Sequence, residues 1–223
     1  MRIRKAKLAA RLFPWHIKLL DLINHNALVG RWIAEQRAGI PTFENLYDFY
    51  RYVHGEVCGG TAIDFLELGV YKGHSIRFWS EMNRDPQSRF IGFDSFKGLP
   101  ENFTKKFTKG AMNLDGAVPQ VDDERVSFVK GWFQTTLPGF VIGFTPRSRL
   151  VVHNDSNLHS STLFALASLN TLLVPGAVVI LDDFSHPIHG FRAFADYRSA
   201  FWRSAHPVAM TADYAMQAAF VFD

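Results

Sequence analysis

The stretch Ala62-Ile63-Asp64-Phe65-Leu66-Glu67-Leu68-Gly69-Val70-Tyr71-Lys72-Gly73-His74-Ser75 decides the fold. Its first part, Ala62–Leu68, is a short apolar run of strand length. Gly69 and Gly73 then let the backbone turn sharply and approach a ligand closely. Ser75 opens a helical stretch through Asn83, where its hydroxyl can cap the helix or bind a carboxylate.

The same alternation continues downstream. Strands are expected at Arg89–Phe93, Arg125–Val129, Arg149–His153 and Ala177–Leu181, and helices over Leu158–Leu173 and Gly190–Arg203. Alternating strands and helices imply a parallel sheet covered on both faces. Val208–Thr211 and Met216–Phe222 close the chain as two more strands. Too few residues separate them for a crossover, so they must pair antiparallel. The expected class is α/β: a doubly wound, mostly parallel sheet with an antiparallel last strand. Ser95–Glu124 has no clear period, and at about 30 residues it is too long for an idle connection. A lid or substrate loop is expected there.

Upstream, Ile17–Gln36 has helical apolar spacing. Thr42 is expected to cap a second helix over Phe43–Val53. Residues 1–60 are thus read as a helical extension, and 61–223 as the α/β domain. The first 18 residues carry Arg2, Arg4, Lys5, Lys7, Arg11 and Lys18 and no acid. Arg11, Pro14, His16 and Lys18 interrupt the apolar run that a secretory signal needs. This arm is read as a helix that caps the domain or packs in a homodimer, with an anionic membrane surface as the other reading.

Composition excludes several classes. With 48% hydrophobic and 20% charged residues, the chain is neither disordered nor fibrous. Lys and Arg total 24 against 21 Asp and Glu, which leaves no nucleic-acid footprint across the chain. No apolar window reaches the roughly 18 residues of a spanning helix. The single Cys58 excludes an internal disulfide and a multi-cysteine zinc site, and fits the reducing cytoplasm.

The residues that carry chemistry sit at strand ends, where open α/β sheets bind ligands. Asp94 ends the second expected strand and can accept the ribose hydroxyls of a nucleotide-like cofactor. The G-x-G-x-x-G pyrophosphate fingerprint is absent. Two later strands end in His153-Asn154-Asp155-Ser156-Asn157 and Leu181-Asp182-Asp183-Phe184. Asp155, Asp182 and Asp183 brought together would repel, and need a cation or shifted pKa values. Hard oxygen ligands suit Mg²⁺, Ca²⁺ or Mn²⁺. His186 follows the Asp pair and is the candidate general base among the nine histidines.

Together these segments resemble the macrocin-type (TylF-like) class I S-adenosylmethionine-dependent O-methyltransferases. The match runs through Phe65–Val70 with Gly73 and Ser75, then Gly92-Phe93-Asp94-Ser95-Phe96-Lys97-Gly98-Leu99-Pro100-Glu101. It continues through Val129-Lys130-Gly131-Trp132-Phe133, Thr136-Leu137-Pro138, Asp155 to Thr162, and Pro175-Gly176 before Asp182-Asp183. The resemblance implies a seven-stranded sheet. It implies that Glu67, Gly69 and Ser75 surround the methionine part of S-adenosylmethionine, Asp94 holds the ribose, and Trp132 or Phe133 lies near the adenine. Tyr71, Gly73, Ser95 and Gly131 complete the implied cofactor set. Asp155, Asp182 and Asp183 match the family's divalent-metal ligands, usually Mg²⁺. The implied acceptor is a small-molecule hydroxyl, on a sugar or natural-product glycoside or on a catechol-like diol; His186 or Asp155 is the candidate to take its proton.

One departure stands out. The family tends to read Asp-x-Asp-x-Tyr where this chain has Asp155-Ser156-Asn157-Leu158-His159. Asn157 keeps an oxygen ligand and loses a charge. That keeps open a non-catalytic methyltransferase-like binding module. The other alternative, a nicotinamide-dependent oxidoreductase, is opposed by the missing fingerprint and the terminal hairpin.

Overall fold

The computed structural model describes residues 16–223. Arg2, Arg4, Lys5, Lys7 and Arg11 of the basic arm lie outside the described residues. The chain begins with α1 (His16–Gln36), β1 (Thr42–Phe43) and α2 (Leu46–Tyr52), which runs into a π-helical turn, Val53–Val57. Then follow β2 (Ile63–Leu68), α3 (His74–Met82), β3 (Arg89–Asp94) and β4 (Val126–Lys130). After these come α4 (Phe133–Gly143), β5 (Arg149–Asn154), α5 (His159–Ser168) and β6 (Val178–Leu181). The chain closes with α6 (Gly190–Ala200), β7 (Ala205–Thr211) and β8 (Ala218–Phe222).

The strands form one sheet in the order β1-β7-β8-β6-β5-β2-β3-β4. Pairs among β2 to β6 are parallel, and β8 is antiparallel to both β6 and β7. Every residue of β2 is buried, as expected of a central parallel strand covered on both faces. β3 flanks β2 on one side and β5 on the other, so the strand order reverses there. A crevice opens at such a reversal, outside the carboxyl ends of the strands. One apolar layer includes Leu66, Leu68, Val152, Val179 and Phe220, and the other Phe49, Tyr50, Phe65, Trp79 and Phe90. Burial of these apolar faces against the sheet is the main force that holds the layers together.

The structure corrects several expected boundaries. The sheet has eight strands rather than seven, because Thr42 and Phe43 pair with Met210 and Thr211 on β7. Thr42 therefore does not cap a helix. Asn45 does, its side-chain oxygen accepting the N–H groups of Tyr47 and Asp48. α4 was not expected between Val129 and Arg149, because Pro138 sits inside it and breaks the helical signature. α5 ends at Ser168 rather than Leu173. Beyond it Asn170 leaves helical spacing and accepts from Tyr197 Oη and Arg203 Nε at 3.0 and 2.8 Å.

α1 is two-faced along its length. Val29 and Ile33 are buried and Trp32 packs edge-on to Phe184 at 4.8 Å, whereas Leu19, Leu20, Leu22 and Ile23 are exposed. No helix among the described residues is long and apolar enough to cross a membrane.

The long segment after β3 contains a single isolated bridge, Lys97 to Asn113. Backbone bonds fold it on itself: Leu99 N–H donates to Ala111 O, and Gly110 N–H to Leu99 O, both at 2.9 Å. Gly98 adopts φ 78°, and a Cβ there would lie 2.5 Å from Ala111 O, so only glycine fits.

Candidate functional site

A cleft opens at the carboxyl ends of β2, β3 and β5. Gly69, Tyr71, Asp94, Ser95, Gly131, Trp132 and Phe133 line it, as does Asp155. These are residues singled out from the sequence. Gly98, Leu99, Pro100 and Met112 from the long segment line it too. Glu67, Gly73 and Ser75 are not among the residues that line it. Gln134, Ser156 and Ser161 also line the cleft, and no chemical signature in the sequence marks them.

Gly69 decides how the two halves of the cleft meet. It adopts φ 92°, and a Cβ would fall 2.2 Å from the backbone oxygen of Asp155. The turn after β2 can therefore pass against the turn after β5 only with glycine here. Asp155 N–H in turn donates to Leu68 O at 2.9 Å.

Asp94 fastens the glycine turn. Its Oδ2 accepts the N–H groups of Val70 and Tyr71, both at 2.9 Å, and its Oδ1 accepts Phe96 N–H at 2.8 Å. Tyr71 and Phe96 have φ of 51° and 55°, a region unfavourable for side chains with a Cβ. The charge-assisted bonds to Asp94 offset that strain. A carboxylate has roughly four acceptor positions, so Asp94 retains capacity for a hydroxyl.

Behind the turn lies a buried string of polar groups. Glu67 Oε1 accepts the Ser75 hydroxyl and faces His153 Nδ1 at 3.0 Å. His153 Nε2 faces Tyr50 Oη at 3.1 Å. Glu67 and His153 are register partners on β2 and β5, which brings their side chains together. Glu67 Oε2 is buried and has no partner.

The carboxylates of β5 and β6 are placed differently. Asn154 and Leu181 are register partners, so Asp155 and Asp182 leave adjacent strand ends side by side. Burial, then the charge of Asp182 and a hydrogen bond to it, hold the Asp155 carboxyl well above the usual carboxylate range. Burial and Asp182 push Asp183 up to about 6, against the opposing hydrogen bond from Asn157. That bond, Asn157 Nδ2 to Asp183 Oδ2, spans 2.7 Å and joins two left-handed residues with φ of 62° and 48°. Asp182 Oδ1 accepts the Gln217 side-chain amide and Asp183 N–H. Among the described residues, no three His, Cys, Asp or Glu side chains are arranged to hold a metal ion.

The structure sets His186 away from the cleft lining. Its ring packs against Phe103 at 5.0 Å and His189 at 4.5 Å. Burial and the neighbouring His189 push its pKa down to about 4. Such a ring is neutral at pH 7 but a weak base, which counts against the general-base role expected for it. His159 begins α5 and pairs with Asp196 at 2.9 Å, also outside the lining.

The chain is similar to known proteins. The macrocin O-methyltransferase (TylF) family profile matches residues 33–211. The 8-demethyl-8-(2,3-dimethoxy-alpha-L-rhamnosyl)-tetracenomycin-C 4'-O-methyltransferase of Streptomyces olivaceus is 33% identical over 199 residues, spanning 78% of this chain and 72% of that protein. The demethyldecarbamoylnovobiocin O-methyltransferase of Streptomyces niveus is 28% identical over 188 residues, spanning 75% of this chain and 69% of that protein. The structure of the O-methyltransferase NovP superposes with a TM-score of 0.62 at 23% identity, over 78% of each chain. A structure of CmcI with Mg and S-adenosylmethionine superposes at 0.52 and 18% identity, over 81% of this chain and 72% of that one. At those identities the two structures speak for the fold alone. The family match covers most of the chain, and the chain belongs to the macrocin O-methyltransferase (TylF) family and is an O-methyltransferase.

Proposed function

We propose that this enzyme transfers the methyl group of S-adenosylmethionine to a sugar hydroxyl of a natural product, with Mg²⁺ assisting. The observation that carries the reading is one cleft whose walls differ in chemistry. One wall is the glycine turn pinned by Asp94, with Trp132 and Phe133 beside it, and the other bears Asp155. The first suits the ribose and adenine of a nucleoside, and the second an acceptor oxygen. The tetracenomycin relative, whose name gives a rhamnosyl substrate, supports the sugar.

When bound, S-adenosylmethionine supplies an electrophilic methyl on a positively charged sulfur. The chain must then orient an alcohol oxygen and accept its proton. Orientation of two reactants is worth roughly 7–11 kcal/mol of barrier. We infer that Asp94 and the glycine turn fix the nucleoside end, with Tyr71, Ser95 and Gly131 at the same wall. Glu67, Gly73 and Ser75 shape its methionine end. Asp155 lines the cleft and His186 does not, so we take Asp155 as the acceptor for the hydroxyl proton in preference to His186.

Asp155, Asp182 and Asp183 are not arranged as a metal site as they stand and would have to reorient to hold the cation; their chemistry suits one, since they are crowded carboxylates whose ionisation is disfavoured until positive charge arrives. Binding would exchange the Asn157 and Gln217 hydrogen bonds for metal contacts. A bound divalent ion lowers the pKa of a ligated hydroxyl. We place the enzyme in the cytoplasm and read residues 1–60 as a helical extension that is built into the methyltransferase domain, since β1 joins its sheet and Phe49 and Tyr50 its core.

The test is release of S-adenosylhomocysteine from a panel of glycosides with free sugar hydroxyls, after chelation and after Mg²⁺ is restored. Product is expected only with Mg²⁺. Equal rates in chelator would overturn the metal, and cofactor binding without turnover on any hydroxyl would favour a binding module.

A further inference from the structure

We propose that Tyr50 and His153 are positioning residues for the cofactor's amino-acid end, acting through Glu67. The proposal rests on the reading that S-adenosylmethionine occupies the cleft. Glu67, His153 and Tyr50 are all buried, the first two with no exposed surface. The carboxylate accepts on Oε1 from Ser75 Oγ and from His153 Nδ1 at 3.0 Å. His153 Nε2 stands 3.1 Å from the Tyr50 hydroxyl, the donor of that bond being set by the form of the imidazole. Burial, then Asp182, Asp155 and Glu67, hold the Tyr50 pKa well above its ordinary value, so the hydroxyl keeps its proton. The string thus links α2 through β5 to β2.

The string leaves Oε2 of Glu67 buried and unpartnered. A buried acceptor without a donor is unfavourable, more so when charged. A cationic ligand group would remove that penalty. Glu67 lies two residues before Gly69, which lines the cleft. The cofactor's α-ammonium is a donor of the right charge for this place, and its nucleoside end has none. Neither Tyr50 nor His153 lines the cleft. Their role is to hold Oε1, and with it the orientation in which Oε2 is left over.

The experiment is calorimetry on the full chain with two ligands, S-adenosylhomocysteine and 5′-methylthioadenosine, which lacks the amino-acid end. Wild type is expected to bind both. Tyr50→Phe and Glu67→Gln are expected to weaken S-adenosylhomocysteine by about tenfold, the scale of one charge-assisted hydrogen bond. Both should leave 5′-methylthioadenosine within about twofold, the usual noise of an independent site. His153→Asn, whose side-chain amide sits where Nδ1 was, should retain more affinity for S-adenosylhomocysteine than His153→Leu. Equal losses for both ligands, or no loss for S-adenosylhomocysteine, would overturn the positioning role. Wild type that binds neither ligand would sink the cofactor reading itself.

Discussion

The two walls of the cleft use the same residue type to opposite ends. On the β3 wall, Asp94 accepts three backbone N–H groups, two of them from left-handed residues that would otherwise be strained. Its charge is used to hold the structure. At the opposite wall only Asp155 lines the cleft; beside it, at the end of β6, Asp182 crowds Asp155 and Asp183, and burial with mutual repulsion raises the pKa values of both. The lesson is that one wall is complete without ligand, whereas the other stores unfavourable charge that a cation or a proton relieves. Enzymes arrange such stored charge where chemistry occurs.

The largest expected effect comes from removing the stored charge. Asp182→Ala combined with Asp183→Ala should lower methyl transfer by about 10³-fold or more, as loss of metal assistance and orientation would. Calorimetric affinity for S-adenosylhomocysteine should stay within about twofold, since the other wall is untouched. Parallel loss of binding and transfer would erase the distinction between the walls.

Gly69→Ala attacks the point where the walls touch. A Cβ at 2.2 Å from Asp155 O, at φ 92°, forces one turn away from the other. A destabilisation of about 3 kcal/mol is expected from the strain and overlap together. Urea unfolding reads it directly, and a wild-type midpoint would show that the walls are not locked together.

The smallest effect sharpens the contrast with a group outside both walls. His186 is held down to about 4 from an ordinary 6.5, and burial lowers His54 and His189 as well. Between those values the unfolded chain binds more protons than the native one. Stability from this source is therefore present above about pH 6.5 and lost as pH falls toward 4. His186→Phe keeps a ring against Phe103 and removes its share. The thermal midpoint of the variant should fall less than that of wild type between about pH 7 and pH 5. An identical acid slope would show that His186 carries no such load.

Much of the site was legible because strand ends in an α/β sheet are legible. Gly69, Asp94, Asp155 and Asp182 each follow a short apolar run, and parallel pairing brings such ends together. The Tyr50–His153–Glu67 string was not legible. Tyr50 comes from a helix 103 residues away from His153 in sequence, and no periodicity reports a contact of that range. His186 misled for the converse reason. It follows the Asp pair in sequence, yet the turn after β6 carries its ring onto Phe103 and His189.

What the sequence alone determined is the alternation of strand and helix, the antiparallel end and the identity of the carboxylates. Local patterning and chain connectivity suffice for those, because side-chain period and crossover length are local constraints. The tertiary structure alone decided which carboxylate is satisfied and which is left in conflict. That outcome depends on the donors that surround each group: three N–H groups at Asp94, a second carboxyl at Asp155, one amide at Asp183. Electrostatic environment is set by neighbours in space, and those neighbours come from strands and turns far apart in the chain.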